Sequence, residues 1–240
     1  RPTRTPSSAA SDVYKRQVTN TLMGLGVYPG TDKYFLGMLG MHGTYQANMA
    51  MHNADLILAI GARFDDRITN TPSKFAPKAK IVHFDVDHSS VSKIIEADIA
   101  VFGQVKNSLQ AINEKLKLES EEFDEGRFTD WHNQIADWRK SHGLNHELYL
   151  EVDDSKPVLP QAAVQHIYHA SEGKAFVTSD VGQHQMFAAQ YYHFDEPRKW
   201  INSGGLGTMG FGLPSAMGVK LAYPCLLYTS DAADEGVRVD

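Results

Sequence analysis

Apolar residues in this chain fall into two kinds of run. Leu56-Ile57-Leu58-Ala59-Ile60-Gly61-Ala62 is continuous and ends in glycine, and Ile81 to Val86 and Ile99 to Phe102 follow the same plan. Continuous runs of this length predict strands buried on both faces of a parallel sheet. The second kind repeats every three or four residues. Leu109, Ile112 and Leu116 lie at helical spacing within 108–118, and Trp131, Ile135 and Trp138 share one face of 128–142. Further helical stretches are predicted over 44–53, 89–96, 159–170 and 215–222, and one more strand over 175–179. Strands alternating with helices predict an α/β fold of βαβ units with right-handed crossovers.

Composition narrows the class without naming a function. A chain of 240 residues suggests one or two domains, and 42% hydrophobic with 22% charged residues is ordinary for a globular protein. The net charge of −6, with no basic patch, argues against nucleic-acid binding. No apolar run is long enough to span a membrane, and no secretory signal pattern opens the chain. Cys225 is the single cysteine, so neither a disulfide framework nor a thiolate metal site can be built, and a reducing, intracellular setting fits.

The ends differ from the middle. Residues 1–17 are small and polar without a periodic apolar face, residues 225–240 show no clear element, and both strings look like translated sequencing-adapter read-through. They are expected to be a non-native leader and a non-native tail, and Asp231 to Glu235 is given no role. The acidic stretch 119–126 reads as a linker, and the charged stretch 151–156 as a second boundary. The expected organisation is therefore 18–118, a linker with helix over 119–155, and 156–224.

Several loops carry candidate chemistry. The richest is 204–214, GGLGTMGFGLP, with five glycines ahead of a helical pattern. Such a turn aims free N–H groups and the positive helix end at an anion, as a diphosphate cofactor requires, although tight packing alone would use the same residues. Leu39-Gly40-Met41-His42-Gly43 places an imidazole and a thioether on a tight loop, where a flat ring or a plain structural turn would both fit. Gly61 to Arg67, GARFDDR, follows a strand, where ligands bind in open parallel sheets. Its arginines could grip phosphate or carboxylate groups, or form a surface ion-pair cluster. Asp85, at another strand end, could accept hydrogen bonds from ribose hydroxyls. Gln183 and His184, in a polar loop after a strand, could donate to phosphate oxygens, or could belong to a helix N-terminal loop that holds no ligand. His166 and His169, and His142 and His146, lack the partners that would complete a metal site and read as surface or packing residues.

Taken together and in order, these stretches resemble the large catalytic subunit of acetohydroxyacid synthase, also called acetolactate synthase. The matching segments are Thr21 to Gly26, Leu39 to Thr44, Gly61 to Arg67, Ala79 to Asp87, Ser179 to Met186 and Ser203 to Gly218. The resemblance covers Val18 to Pro224. It implies a thiamine-diphosphate enzyme of α/β domains that condenses pyruvate with pyruvate or 2-oxobutanoate, losing CO2, in branched-chain amino acid biosynthesis. It implies a parallel-sheet, Rossmann-like middle domain that binds FAD, followed by the beginning of a thiamine-diphosphate-binding α/β domain.

Residue by residue, the resemblance implies FAD contacts at Thr21, Leu22, Leu39, Gly40, Met41, His42, Gly61, Ala62, Arg63, Phe64, Asp65, Asp85 and Val86. Gly204 and Gly205 would touch the flavin. Gln183, His184, Gly207 and Met209 would line the thiamine diphosphate, with Met209 supporting its bent shape. Arg67 would hold the carboxylate of the second keto acid. At Gly103-Gln104-Val105 the chain departs from the family's Gly-Asp-Val or Gly-Asp-Ala. Gln104 and Val105 keep an acceptor there but lose the anion.

The resemblance puts the activating glutamate and the Mg2+ motif outside this sequence, so the chain is expected to be an inactive fragment. It also implies homodimers or tetramers, a possible regulatory subunit, and a location in the cytoplasm of bacteria or in the plastid or mitochondrion of eukaryotes. Related enzymes of the glyoxylate carboligase or pyruvate oxidase type, and a non-catalytic dinucleotide-binding module, are the competing readings.

Overall fold

A computed structural model describes residues 16–118, 125–150, 153, 155–224 and 228–231. Most of the expected leader, the linker core 119–124 and the tail residues 225–227 and 232–240 lie outside the described residues. The chain divides into two compact units. The first takes in residues up to Thr21 together with Leu39–Gly143, and the second Leu22–Met38 and the chain from Leu144 onward. Among the described residues no helix is long and apolar enough to cross a membrane.

Strand β1 (Val18–Asn20) precedes β2 (Phe35–Met38), and neither was predicted because three or four residues show no usable alternation. The sheet of the first unit is β3 (Leu56–Ile60), β4 (Lys80–Asp85) and β5 (Ile99–Phe102), all parallel, with β4 in the centre. Leu56 faces Lys80 across β3–β4, and Asp85 faces Phe102 across β4–β5. The hydrogen bond from Gly61 N to Phe84 O, 2.8 Å, carries the pairing one residue past β3.

The expectation of strands buried on both faces is corrected here. Ile57 and Ala59 are buried, whereas Leu56, Leu58 and Ile60 face outward. Ile57, Ala59, Phe64, Ala76, Ile81 and Ile95 form the core on one face of the sheet, and β5 buries no residue fully. An unbroken apolar run reports that both faces are apolar, and does not report that both are covered.

Helix α1 (Tyr45–Asn53) begins where Thr44 accepts a hydrogen bond from Ala47 N, 3.3 Å, in the standard N-cap role. The short α2 (Asp66–Thr69) follows β3, and α3 (Val105–Leu118) follows β5. Helix α4 (Thr129–His142) packs on α1, and its Trp131 and Trp138 meet edge to face at 5.7 Å.

The helix expected over 89–96 is absent. Asp87 instead accepts hydrogen bonds from Ser89 N, 2.9 Å, and from the hydroxyls of Ser89 and Ser90. Ser92 turns left-handed at φ +57° and accepts from Ala97 N through its hydroxyl. Short polar side chains have taken the backbone bonds that a helix needs.

His83 lies fully buried on β4, edge-on to Phe64 with ring centroids 5.2 Å apart. Neither ring nitrogen has a hydrogen-bond partner among the described residues, and Nε2 stands 4.0 Å from the Asp85 carboxylate.

The second unit is built on β6 (Phe176–Ser179), every residue of which is buried. It lies between β7 (Trp200–Ile201) and β8 (Tyr228–Asp231), both parallel to it. Strand β8 falls in the segment read as featureless tail. Four residues pair with the edge of β6 through their backbone, a contact that no local pattern announces.

Helices α5 (Pro160–Ala170), α6 (Gln183–Tyr191) and α7 (Gly212–Ala222) complete this unit. The loop expected after Ser179 is thus short, and α6 begins at Gln183. Helix α7 starts three residues ahead of the predicted 215, because Pro214 is tolerated in a first turn where no N–H partner is needed. The core joins Leu25, Met38, Val164, Val177, Ala188, Tyr192, Phe194 and Trp200. Burying each of the larger side chains contributes about 1.5–3 kcal/mol.

Candidate functional sites

In the first unit the candidate loops gather at the carboxyl ends of the strands. Gly40 sits at φ +109°, and a Cβ there would meet Arg67 O at 2.7 Å. That approach lets Met41 N donate to Arg67 O, 2.8 Å. Asn48 clamps the same glycine from α1, accepting from Gly40 N and donating to Gly40 O, both 3.0 Å. The structure therefore brings Leu39–His42 against the end of the 61–67 segment. Met41 and His42 project outward and remain accessible.

Within 61–67, Phe64 is buried with φ +54°, anchoring the loop in the core. Asp65 caps α2 by accepting from Arg67 N, 3.1 Å, and pairs with Arg63. Arg63 is thus already held by a carboxylate. Arg67 is exposed, with its Nε 3.9 Å from Asp66, so its guanidinium can reach an anionic ligand. Asp85 accepts from Asp87 N, 2.9 Å, and Gly103 N donates to Asp85 O, 3.1 Å. Asp85, Val86, Gln104 and Val105 therefore lie together where β4 and β5 end. Gln104 O accepts from Asn107 N and Ser108 N at the start of α3, and the Gln104 residue is exposed. Thr21 belongs to the first unit and Leu22 to the second.

In the second unit two helices start beside the end of β6, and their starts differ. Helix α6 begins at Gly182, which offers no side-chain cap. Gln183 is exposed, whereas His184 is buried with Nε2 lacking a partner among the described residues. Helix α7 begins with its amides in use. The Asp180 carboxylate accepts from Gly210 N at 2.8 Å through both oxygens and from Val181 N at 2.8 Å, and the N–H groups of Phe211 and Gly212 also reach it. Partial burial opposes ionisation of Asp180, but these four amides outweigh it and hold its pKa below the ordinary carboxylate value.

Three of the N–H groups expected to be free at the glycine-rich turn, those of Gly210, Phe211 and Gly212, are thus taken by an acid of the chain itself. Asp180 stands one residue past a strand and thirty residues before Gly210, a separation across which sequence gives no signal of pairing. Asn48, eight residues past Gly40, was missed because its side chain reaches back across a turn.

The turn itself is held at its base. Gly207 N donates to Ser203 O, 2.8 Å, and Thr208 N to Ser203 Oγ, 3.1 Å. Leu206 and Met209 face outward, and Gly205 has open space where a Cβ would stand. A Cβ on Gly204 would collide with Met23 Sδ at 2.5 Å, and the Leu22 side chain is beside it.

The histidines read as packing residues contact aromatic rings. His142 stacks on Tyr45 at 4.3 Å, His166 and His169 meet Tyr149, and His146 meets Tyr191.

Two family models match this chain. The thiamine pyrophosphate enzyme central domain matches residues 9–112, and the thiamine pyrophosphate enzyme C-terminal TPP binding domain matches residues 180–233. The chain belongs to the thiamine pyrophosphate enzymes. The central-domain match contains every candidate residue of the first unit, and the TPP-binding match contains Gln183, His184 and the glycine-rich turn, beginning at Asp180.

Curated relatives of this chain are acetolactate synthase large subunits. The isozyme 3 large subunit of Escherichia coli K12 is 52% identical over 207 residues, 86% of this chain and 35% of that one. The large subunit of Haemophilus influenzae is 53% identical over 210 residues, again 86% and 35%. The chloroplastic enzyme of Arabidopsis thaliana is 44% identical over 207 residues, 86% of this chain and 30% of that one. The chain spans about a third of the length of the curated relatives it matches.

Proposed function

We propose that this chain supplies part of an acetolactate synthase, holding FAD in its first unit and one side of thiamine diphosphate in its second. The expected division into a partial FAD-binding middle domain over 18–118, a linker with helix over 119–155 and the start of a thiamine-diphosphate domain over 156–224 belongs to this proposal. The observation that carries it is the start of α6. Its amides have no side-chain cap, and His184 is buried with an unused ring nitrogen. A buried polar atom left unpaired costs about 1–3 kcal/mol, so a ligand that satisfied it would be held firmly. An anion at such an end also gains from the aligned backbone dipoles.

Thiamine diphosphate, when bound, supplies the carbanion chemistry that removes CO2 from one 2-keto acid and adds the remaining two carbons to another. The residues of the chain bind and orient. Gln183 and His184 would donate to the diphosphate, while Gly207 and Met209 would stand along the cofactor. Met41 and His42 would lie against the flavin, with Asp85 accepting from a ribose hydroxyl. Arg67, exposed and in only a long pairing with Asp66, would grip the carboxylate of the second keto acid with its planar fork.

The metal needed by the diphosphate would be Mg2+, with ligands outside these residues. Assembly into dimers or tetramers, a regulatory subunit, and a cytoplasmic or plastid setting are part of the same reading, supported by bacterial and chloroplastic relatives.

The test is binding to the 240-residue chain. Thiamine diphosphate with Mg2+ should shift the amide resonances of Gln183 and His184, and FAD should shift those of Met41, His42 and Gly61. Silence of Gln183 and His184 under saturating thiamine diphosphate would refute the cofactor reading.

A further inference from the structure

The amides of Gly210, Phe211 and Gly212, where the glycine-rich turn runs into α7, reach the Asp180 carboxylate. Gly210 N donates to both oxygens at 2.8 Å, and Val181 N to Oδ1 at 2.8 Å. The N–H groups of Phe211 and Gly212 approach the same group. Gly212 permits this seating, since a Cβ there would stand 2.8 Å from Asp180 N and 3.2 Å from Ser179 C. A helix start is thereby fastened to the end of β6 by a charge-assisted set of bonds, roughly twice as strong as neutral ones.

The turn from Ser203 to Gly210 is consequently pinned at both ends. Ser203 holds Gly207 and Thr208 at its base, and Asp180 holds Gly210 at its far end. Met209, 69% exposed and adjacent to Gly210, takes its place from the second pin.

We propose that Asp180 is a positioning residue with two effects. It sets the place of Met209 beside the cofactor, and it closes the amide end of α7 to phosphate, leaving the α6 end at Gln183 and His184 as the diphosphate address. The inference rests on the thiamine diphosphate reading for its first effect and stands apart from it for its second. Anions favour a free helix N-terminus, and one already carrying a carboxylate repels a second negative group.

The experiment follows the amide resonances of the 240-residue chain as inorganic pyrophosphate and then thiamine diphosphate with Mg2+ are added. In the wild type, Gly210, Phe211 and Gly212 should stay still while Gln183 and His184 move. In Asp180→Ala, Gly210 to Gly212 should become responsive to pyrophosphate, and affinity for thiamine diphosphate should drop about tenfold, near 1.4 kcal/mol. Asp180→Asn keeps the shape and one acceptor oxygen, so it should recover most of that affinity and leave resonances outside 179–182 and 203–212 unchanged. This separates positioning from unfolding.

Gly210 to Gly212 moving equally in wild type and Asp180→Ala would overturn the closure. Unchanged thiamine diphosphate affinity in Asp180→Ala would overturn the positioning of Met209. If Gln183 and His184 stay silent in the wild type while Asp180→Ala opens Gly210 to Gly212, the cofactor reading fails and the closure is upheld.

Discussion

Mild acid should destabilise the second unit through His146. Its ring lies 4.6 Å from the ring of His193 and 5.5 Å from that of Tyr191, and its Nδ1 is buried without a partner among the described residues. Burial, and then the charge of His193, hold its pKa down at about 4 against an ordinary 6.5. His193 is lowered as well, by burial first, with Asp195 opposing and His169 assisting. The folded ring binds a proton less readily than the unfolded one, so the unfolded state charges first. Stability is therefore complete above pH 6.5 and drains away as the pH falls from there to about 4.

At about 1.4 kcal/mol per pH unit, this interval sets an upper limit between about 3 and 4 kcal/mol. Partial solvent contact screens the ring, and the expected loss is about 2 kcal/mol. Urea unfolding followed by tryptophan fluorescence between pH 7 and 4 measures it, because Trp200 sits in the same core. His146→Leu, which cannot charge, should flatten the pH dependence by that amount and leave the smaller share from His193. An unaltered slope in His146→Leu, or a His146 ring that titrates near its ordinary value by NMR, would refute the reasoning.

Two substitutions test the packing around the sites. Gly212→Ala would drive a methyl into Asp180 N, 2.8 Å away, and should cost about 1–3 kcal/mol, read as a lower urea midpoint with the first unit unaffected. Asp65→Ala removes the cap of α2 and the partner of Arg63, and should cost about 0.5–1 kcal/mol while broadening the amide resonances of 63–68. A loss confined to the second unit would contradict that assignment.

The α/β class and the main strands were legible because the segments of β3, β4 and β5 carry apolar runs and alternate with helical stretches, with β6 read as one more strand after a helix. Helices α3, α4 and α5 were legible from their three-to-four spacing. The candidate loops were legible as glycine clusters at strand ends, which is where chain reversals and ligands both occur.

Failures came where side chains compete with backbone or where partners are distant. Asp87 and Ser92 dissolve a helix that the spacing of 89–96 suggests. Tyr228–Asp231 becomes a strand only because β6 offers an edge. Asp180 and Asn48 act on glycines far along the chain or across a turn, and their roles depend on the folded path. Whether an apolar strand is covered on one face or two is likewise a property of what packs on it, as the outward Leu56, Leu58 and Ile60 demonstrate.

The sealed imidazole of His83 has a practical consequence. Its C2 proton can trade with deuterium only when solvent gains entry, and nothing of that ring is reachable in the folded state. The rate of that trade is an internal clock for transient parting of the parallel strands. It requires no added label, and it ticks independently of the tryptophans that report global melting.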